Sequence, residues 1–96
     1  MSSLIDVMEE MSRAMDKFPE WPDDPIHAVA VLGEEYGELQ KAVLEHTYEP
    51  HKSTKEDARK EAVQTAAMAL RFLMSLEEYE YKPSTQHSQD PVVEIT

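Results

Sequence analysis

Three prolines within seven residues, Pro19, Pro22 and Pro25, interrupt a chain that otherwise reads almost throughout in helical period. Proline fixes its own φ, lacks an N–H and clashes with the preceding turn, so no helix runs through such a cluster. A second break comes at Pro50, in the stretch Glu49-Pro50-His51-Lys52-Ser53. What remains is three long helical segments and two short connections. The 96 residues hold only two glycines, Gly33 and Gly37, both inside helical pattern. An all-α fold follows, an antiparallel bundle of three main helices. Residues 1–79 are expected to form one domain. Residues 80–96, with Pro83 and Pro91 among polar side chains, read as a polar, partly flexible tail with a short apolar ending at Val92, Val93 and Ile95.

The helix starts are legible locally. Residues 3–18 carry Leu4, Met8, Met11, Met15 and Phe18 at a four-three-four-three spacing, an apolar edge for core or oligomer packing. Ser3, with Asp6 three residues on, resembles a capping box. Asp24-Pro25 starts the second helix, with Asp at the cap and Pro in the first turn, and the helix runs to about Tyr48. Ser53 or Thr54 caps the third, where Ser53 and Glu56 satisfy a Ser-x-x-Glu box. That helix is expected from about Lys55 to Tyr79. Its inward stripe is expected to be Ala58, Ala62, Thr65, Ala66, Ala69, Phe72, Leu73 and Leu76.

The second helix contains the densest chemistry. Leu32-Gly33-Glu34-Glu35-Tyr36-Gly37-Glu38-Leu39 packs three carboxylates into five residues. An apolar stripe at Val29, Leu32, Tyr36, Leu39 and Val43 sets the expected core face. At 100° per residue, Glu35 lies roughly 60° from the Leu32 direction and Glu38 roughly 120° away on the same side. Both are then flank residues at the edge of the core, with Glu34 further out. Carboxylates at i and i+3 repel each other unless a basic side chain, a proton or a divalent cation stands between them. Glu61 is a third flank carboxylate, on the third helix, with Asp57 and Gln64 further round on the same side. A short antiparallel hairpin of helices two and three can bring Glu35, Glu38 and Glu61 together. Trp21, in the proline-rich connection, either covers the end of the core or offers a flat face to a nucleobase.

Charge limits the function. Lys plus Arg total 9 against 20 Asp plus Glu, a formal net charge of −11. That excludes a nucleic-acid groove and an anionic membrane surface as natural partners. With no cysteine there is no disulfide framework and no thiolate metal site. No apolar run approaches the roughly 20 residues that span a bilayer, and the N-terminus lacks the features of a signal peptide. A cytoplasmic location is expected.

Glu34-Glu35-x-x-Glu38, then a loop, then Glu61-x-x-Gln64 in an Ala-rich helix resembles the MazG-like all-α nucleoside triphosphate pyrophosphohydrolases, whose pattern is EExxE followed by ExxD. The resemblance covers about residues 18–78, and Gln64 stands where the family has Asp. It implies a Mg²⁺-dependent enzyme that releases a nucleoside monophosphate and pyrophosphate. Carried over, Glu35, Glu38 and Glu61 are metal ligands, with Gln64, or Asp57 one turn before Glu61, as the fourth. Glu34 is a further ligand or positions the attacking water. Trp21, Lys55, Arg59 and Lys60 are candidate substrate-binding residues. The resemblance, and the long apolar edges of so small a domain, imply a homo-oligomer, a dimer or tetramer completed into four-helix-like cores. The alternative is a catalytically weak helical dimerisation or regulatory module.

Overall fold

The computed structural model describes residues 2–80 and is all-helical over them. Helix α1 spans Ser2–Lys17, α2 Pro25–Tyr48 and α3 Lys55–Met74, followed by a short 3-10 turn at Leu76–Glu78. The expected tail lies outside the described residues, except for Glu80. No helix among the described residues is long and apolar enough to cross a membrane.

The caps explain where the helices begin. The Asp24 side chain accepts from the Ile26 N–H at 3.0 Å, and Pro25 follows in the first turn. At α3 the box is set one residue later than the Ser53–Glu56 reading. Thr54 Oγ1 accepts from the Asp57 N–H at 3.1 Å, and the Asp57 carboxylate accepts from the Thr54 N–H at 2.8 Å. Ser53 is buried instead, and His46 Nδ1 donates to its carbonyl at 3.2 Å, which holds the α2–α3 turn. Helix α3 also ends earlier than Tyr79. The Ser75 N–H bonds back to the Arg71 and Phe72 carbonyls and the chain turns into the 3-10 segment. Tyr79 then folds back as one of the buried residues, and the Glu80 N–H reaches the Asp23 carbonyl at 2.9 Å.

Helix α3 is the central element, packed along both α2 and α1, while α1 and α2 barely meet. Small residues set the close contacts. Ala28, Ala42 and Ala67 are buried, and helix axes 8–10 Å apart favour such side chains at the crossing. The inward stripe of α2 is therefore Ala28, Leu32, Glu35, Leu39 and Ala42, not the one through Val29, Tyr36 and Val43. Those three larger residues face solvent, Tyr36 at 52% exposure. On α1 the expected edge is covered only at Met11. Leu4, Met8, Met15 and Phe18 are exposed, while Val7, Met11 and Ala14 are partly covered. On α3, Ala62, Ala69 and Leu73 also prove exposed, as does Leu76 in the 3-10 segment, while Ala58, Thr65, Ala66 and Phe72 are partly covered. Among the described residues no large side chain is fully buried.

Candidate functional site

Rotation of α2 onto its alanines carries Glu35 from the expected flank to the middle of the buried stripe, where it is half-covered. The same rotation leaves Glu34 and Glu38 exposed; Glu61 on α3 is half-buried. One hydroxyl fixes the pairing. Thr65 Oγ1 lies 3.1 Å from the Glu35 carbonyl and 2.8 Å from the Glu61 carbonyl, so its proton is shared between the two helices. The two residues whose carboxylates matter most are thus held in register by their own backbones. Sequence reading placed Thr65 only in an apolar stripe; a hydroxyl at i+4 from a candidate ligand was the signal that could have singled it out.

Burial, and then the charges of Glu61, Glu38, Glu34 and Glu10, raise the Glu35 carboxyl above its ordinary range. Two helices therefore converge on one half-buried carboxylate surrounded by like charge. Such a locus gains from a proton or a cation. Among the described residues no three carboxylates or histidines are grouped as a ready-made metal cage. The donor chemistry nevertheless fits a hard divalent ion: oxygen ligands only, on glutamates long enough to reach one another from adjacent helical turns.

Glu35 also forms part of the wall of a cleft of about 790 Å³ between the three helices, within the size range of small-molecule sites. Gln64, Lys60 and Arg59 line it from α3, and Trp21 from the α1–α2 connection. Of the other candidates, Lys55 is exposed and outside the cleft. Asp57 is committed to the α3 cap, and its hydrogen bonds from Thr54 hold its carboxyl below the ordinary range. Gln64 is therefore the better placed of the two alternatives for the fourth position. Arg59 is engaged as well: its Nη2 donates to the Asp6 carboxylate at 2.7 Å, which ties α3 to α1.

Trp21 covers the end of the bundle and has little freedom to move. Its Nε1–H donates to the Tyr79 hydroxyl at 2.7 Å, and the Tyr79 hydroxyl sits 3.3 Å from the Phe72 carbonyl. The Arg71 guanidinium lies over its ring, 4.8 Å from the centroid, a cation–π contact. Arg71 was not singled out by the sequence. A lone arginine late in a helix reads as surface or as a partner for the C-terminal carbonyls.

No family model matches the chain, and no curated protein or solved structure is significantly similar to it.

Proposed function

We propose that this chain is a magnesium-dependent nucleoside triphosphate pyrophosphohydrolase. The observation that carries the reading is Glu35, half-covered in the α2–α3 contact, tied through Thr65 to the backbone of Glu61 and carrying the charges of Glu61 and Glu38, at the wall of a cleft large enough for a nucleotide. The spacing Glu34-Glu35-x-x-Glu38 and Glu61-x-x-Gln64, which resembles the EExxE and ExxD of the MazG-like enzymes, lends it support.

Glu35, Glu38, Glu61 and Gln64 would hold the metal. Bound magnesium supplies neutralisation of the charge that builds on the departing pyrophosphate. Glu34, exposed beside Glu35, orients the attacking water and receives its proton as the water oxygen bonds to the α-phosphorus. The bond from that phosphorus to the bridging oxygen breaks, and pyrophosphate leaves with the electron pair. Lys60 has no ion pair among the described residues and offers its ammonium to the phosphates; Arg59 does so by exchanging Asp6 for phosphate. Val31, Val63 and Met68 give the nucleoside an apolar wall, with Trp21 as a fixed edge.

A homo-oligomer belongs to the same proposal. Exposed Leu4, Met8 and Met15 on α1, Phe18 just beyond it, and Val29, Tyr36 and Val43 on α2 leave apolar stripes that a second copy would cover. The same stripes favour a second reading, a helical association module that does little chemistry.

One panel separates the two. Nucleoside triphosphates are incubated with Mg²⁺ and both pyrophosphate and orthophosphate are scored. Magnesium-dependent pyrophosphate release is the expected result. Orthophosphate alone would move the cleavage away from the α-phosphorus, and no release of either leaves the association module.

A further inference from the structure

Five of the nine basic residues of this chain of net charge −11, Arg13, Lys17, Arg59, Lys60 and Arg71, line one cleft, together with five carboxylates, Asp6, Glu9, Glu10, Glu20 and Glu35. Two of the five are neutralised, Arg13 by Glu10 and Arg59 by Asp6. At the end of the cleft formed by Phe18 and Trp21 the situation differs. Arg71 is only 5% exposed, yet no carboxylate lies within ion-pair distance of it among the described residues. A buried guanidinium without a counter-charge is unusual, because removing the ion from water is costly.

Its neighbours satisfy only part of it. One nitrogen, Nη2, donates to the Phe18 carbonyl at 2.6 Å, and the plane rests on Trp21. No buried side-chain nitrogen among the described residues lacks a partner, so the remaining guanidinium donors are ones that water reaches. Arg71 is one of the residues that line the cleft. Lys17 approaches the same corner, with Nζ over the Phe18 ring at 5.5 Å and no ion pair among the described residues. Two cations and two aromatic rings thus meet around one residue pair, Phe18 and Arg71. This corner lies about 15 Å along α3 from Glu61, ten residues at 1.5 Å each, so it is distinct from the carboxylate cluster.

We propose that this corner is a metal-independent site for an oxyanion group, a phosphate or a carboxylate carried on a small molecule with an apolar or aromatic body. Arg71 presents its free donors to the oxyanion as a fork, the geometry that suits both groups. Lys17 adds a second charge from the side. Phe18, Trp21 and Met68 supply the apolar surface for the body. The inference does not rest on the hydrolase reading, and its test omits magnesium.

The only tryptophan of the chain touches the proposed site, so intrinsic fluorescence reports occupancy directly. With chelator present and ionic strength held constant, the whole protein is titrated with inorganic phosphate, phenyl phosphate, acetate and benzoate. A saturable change in Trp21 emission is expected with phosphate or with acetate, and a tighter one with the aromatic member of the same series. The tighter series identifies the group. Hydrogen bonds to charged partners are strong, so R71M is expected to weaken binding at least about tenfold, with R71K in between. K17M is expected to weaken it about twofold to fivefold, the scale of an exposed charge. No saturation with any of the four anions overturns the proposal, as does R71M titrating like wild type with its helicity intact. Should R71M lose helicity in circular dichroism, K17M decides, since Lys17 is exposed: unchanged affinity there overturns the site.

Discussion

Replacing Glu35 with Gln should make the protein more stable while removing what the carboxylate is for. Glu35 stands in the middle of the α2 stripe that packs on α3, half-covered, with Glu38 one turn on, Glu34 beside it and Glu61 across the contact. A like-charged pair one helical turn apart costs about 0.2–0.5 kcal/mol. Glu35 has one such neighbour, Glu38, and a second like charge, Glu61, across the helix contact; partial exposure screens both, so the relief is about 0.5–1 kcal/mol. For a domain of this size that is a rise of about 2–8 °C in Tm. Gln keeps the length and helix propensity of Glu, so the change is one of charge. The sign with pH follows from the raised carboxyl. Between the ordinary glutamate range and the raised value the native state binds more protons than the unfolded chain. Wild-type stability therefore falls as pH rises through that window. The advantage of E35Q should be present at pH 7 and shrink as the pH falls through the glutamate range, where Glu35 takes up its proton. Magnesium reverses the ranking. At ten times its Kd, a ligand of the native state adds about 1.4 kcal/mol, and wild type should gain it while E35Q does not. Thermal melts followed by circular dichroism, at one protein concentration, at pH 4 and pH 7 and with Mg²⁺ or chelator, give all four comparisons. If E35Q melts at or below wild type at both pH values, Glu35 is an ordinary solvated glutamate and the electrostatic reasoning fails.

Gln64→Asp should tighten Mg²⁺ binding and raise pyrophosphate release, because an added carboxylate strengthens a hard-cation site; calorimetric titration of both proteins checks it, and unchanged affinity removes α3 from the site. Thr65→Val should cost about 0.5–1.5 kcal/mol through the lost hydroxyl bonds to the Glu35 and Glu61 carbonyls. It should also weaken Mg²⁺ binding, which an equally destabilising change at the far end of α2 would not do; urea unfolding beside calorimetry separates the two effects. Light scattering at micromolar concentration should give a mass above one chain, and V29E with Y36E should lower it to that of the monomer with helicity kept. A helical monomer in the wild type would count against the exposed stripes being an interface.

Some of this architecture is local, and local features are legible in a sequence. The proline clusters, the Asp24-Pro25 start and the Glu34–Glu38 spacing each act within one or two turns, so reading them needs no knowledge of what packs where. The helix count and the all-α class follow from them. Which face of α2 turns inward is not local. The sequence offers two stripes, a large one through Val29, Tyr36 and Val43 and a small one through Ala28, Leu32, Leu39 and Ala42. Counting hydrophobicity chooses the large stripe. Packing chooses the small one, because α2 and α3 can approach closely only where side chains are short. That single rotation sets Glu35 into the contact and turns Glu38 to the surface. The same holds for the basic residues. Sequence alone gives Arg71 no special standing, since its burial depends on Phe18 and Trp21 arriving from a different segment. Spacing along a helix decides which residues share a side, and the neighbouring helices decide which side is inside.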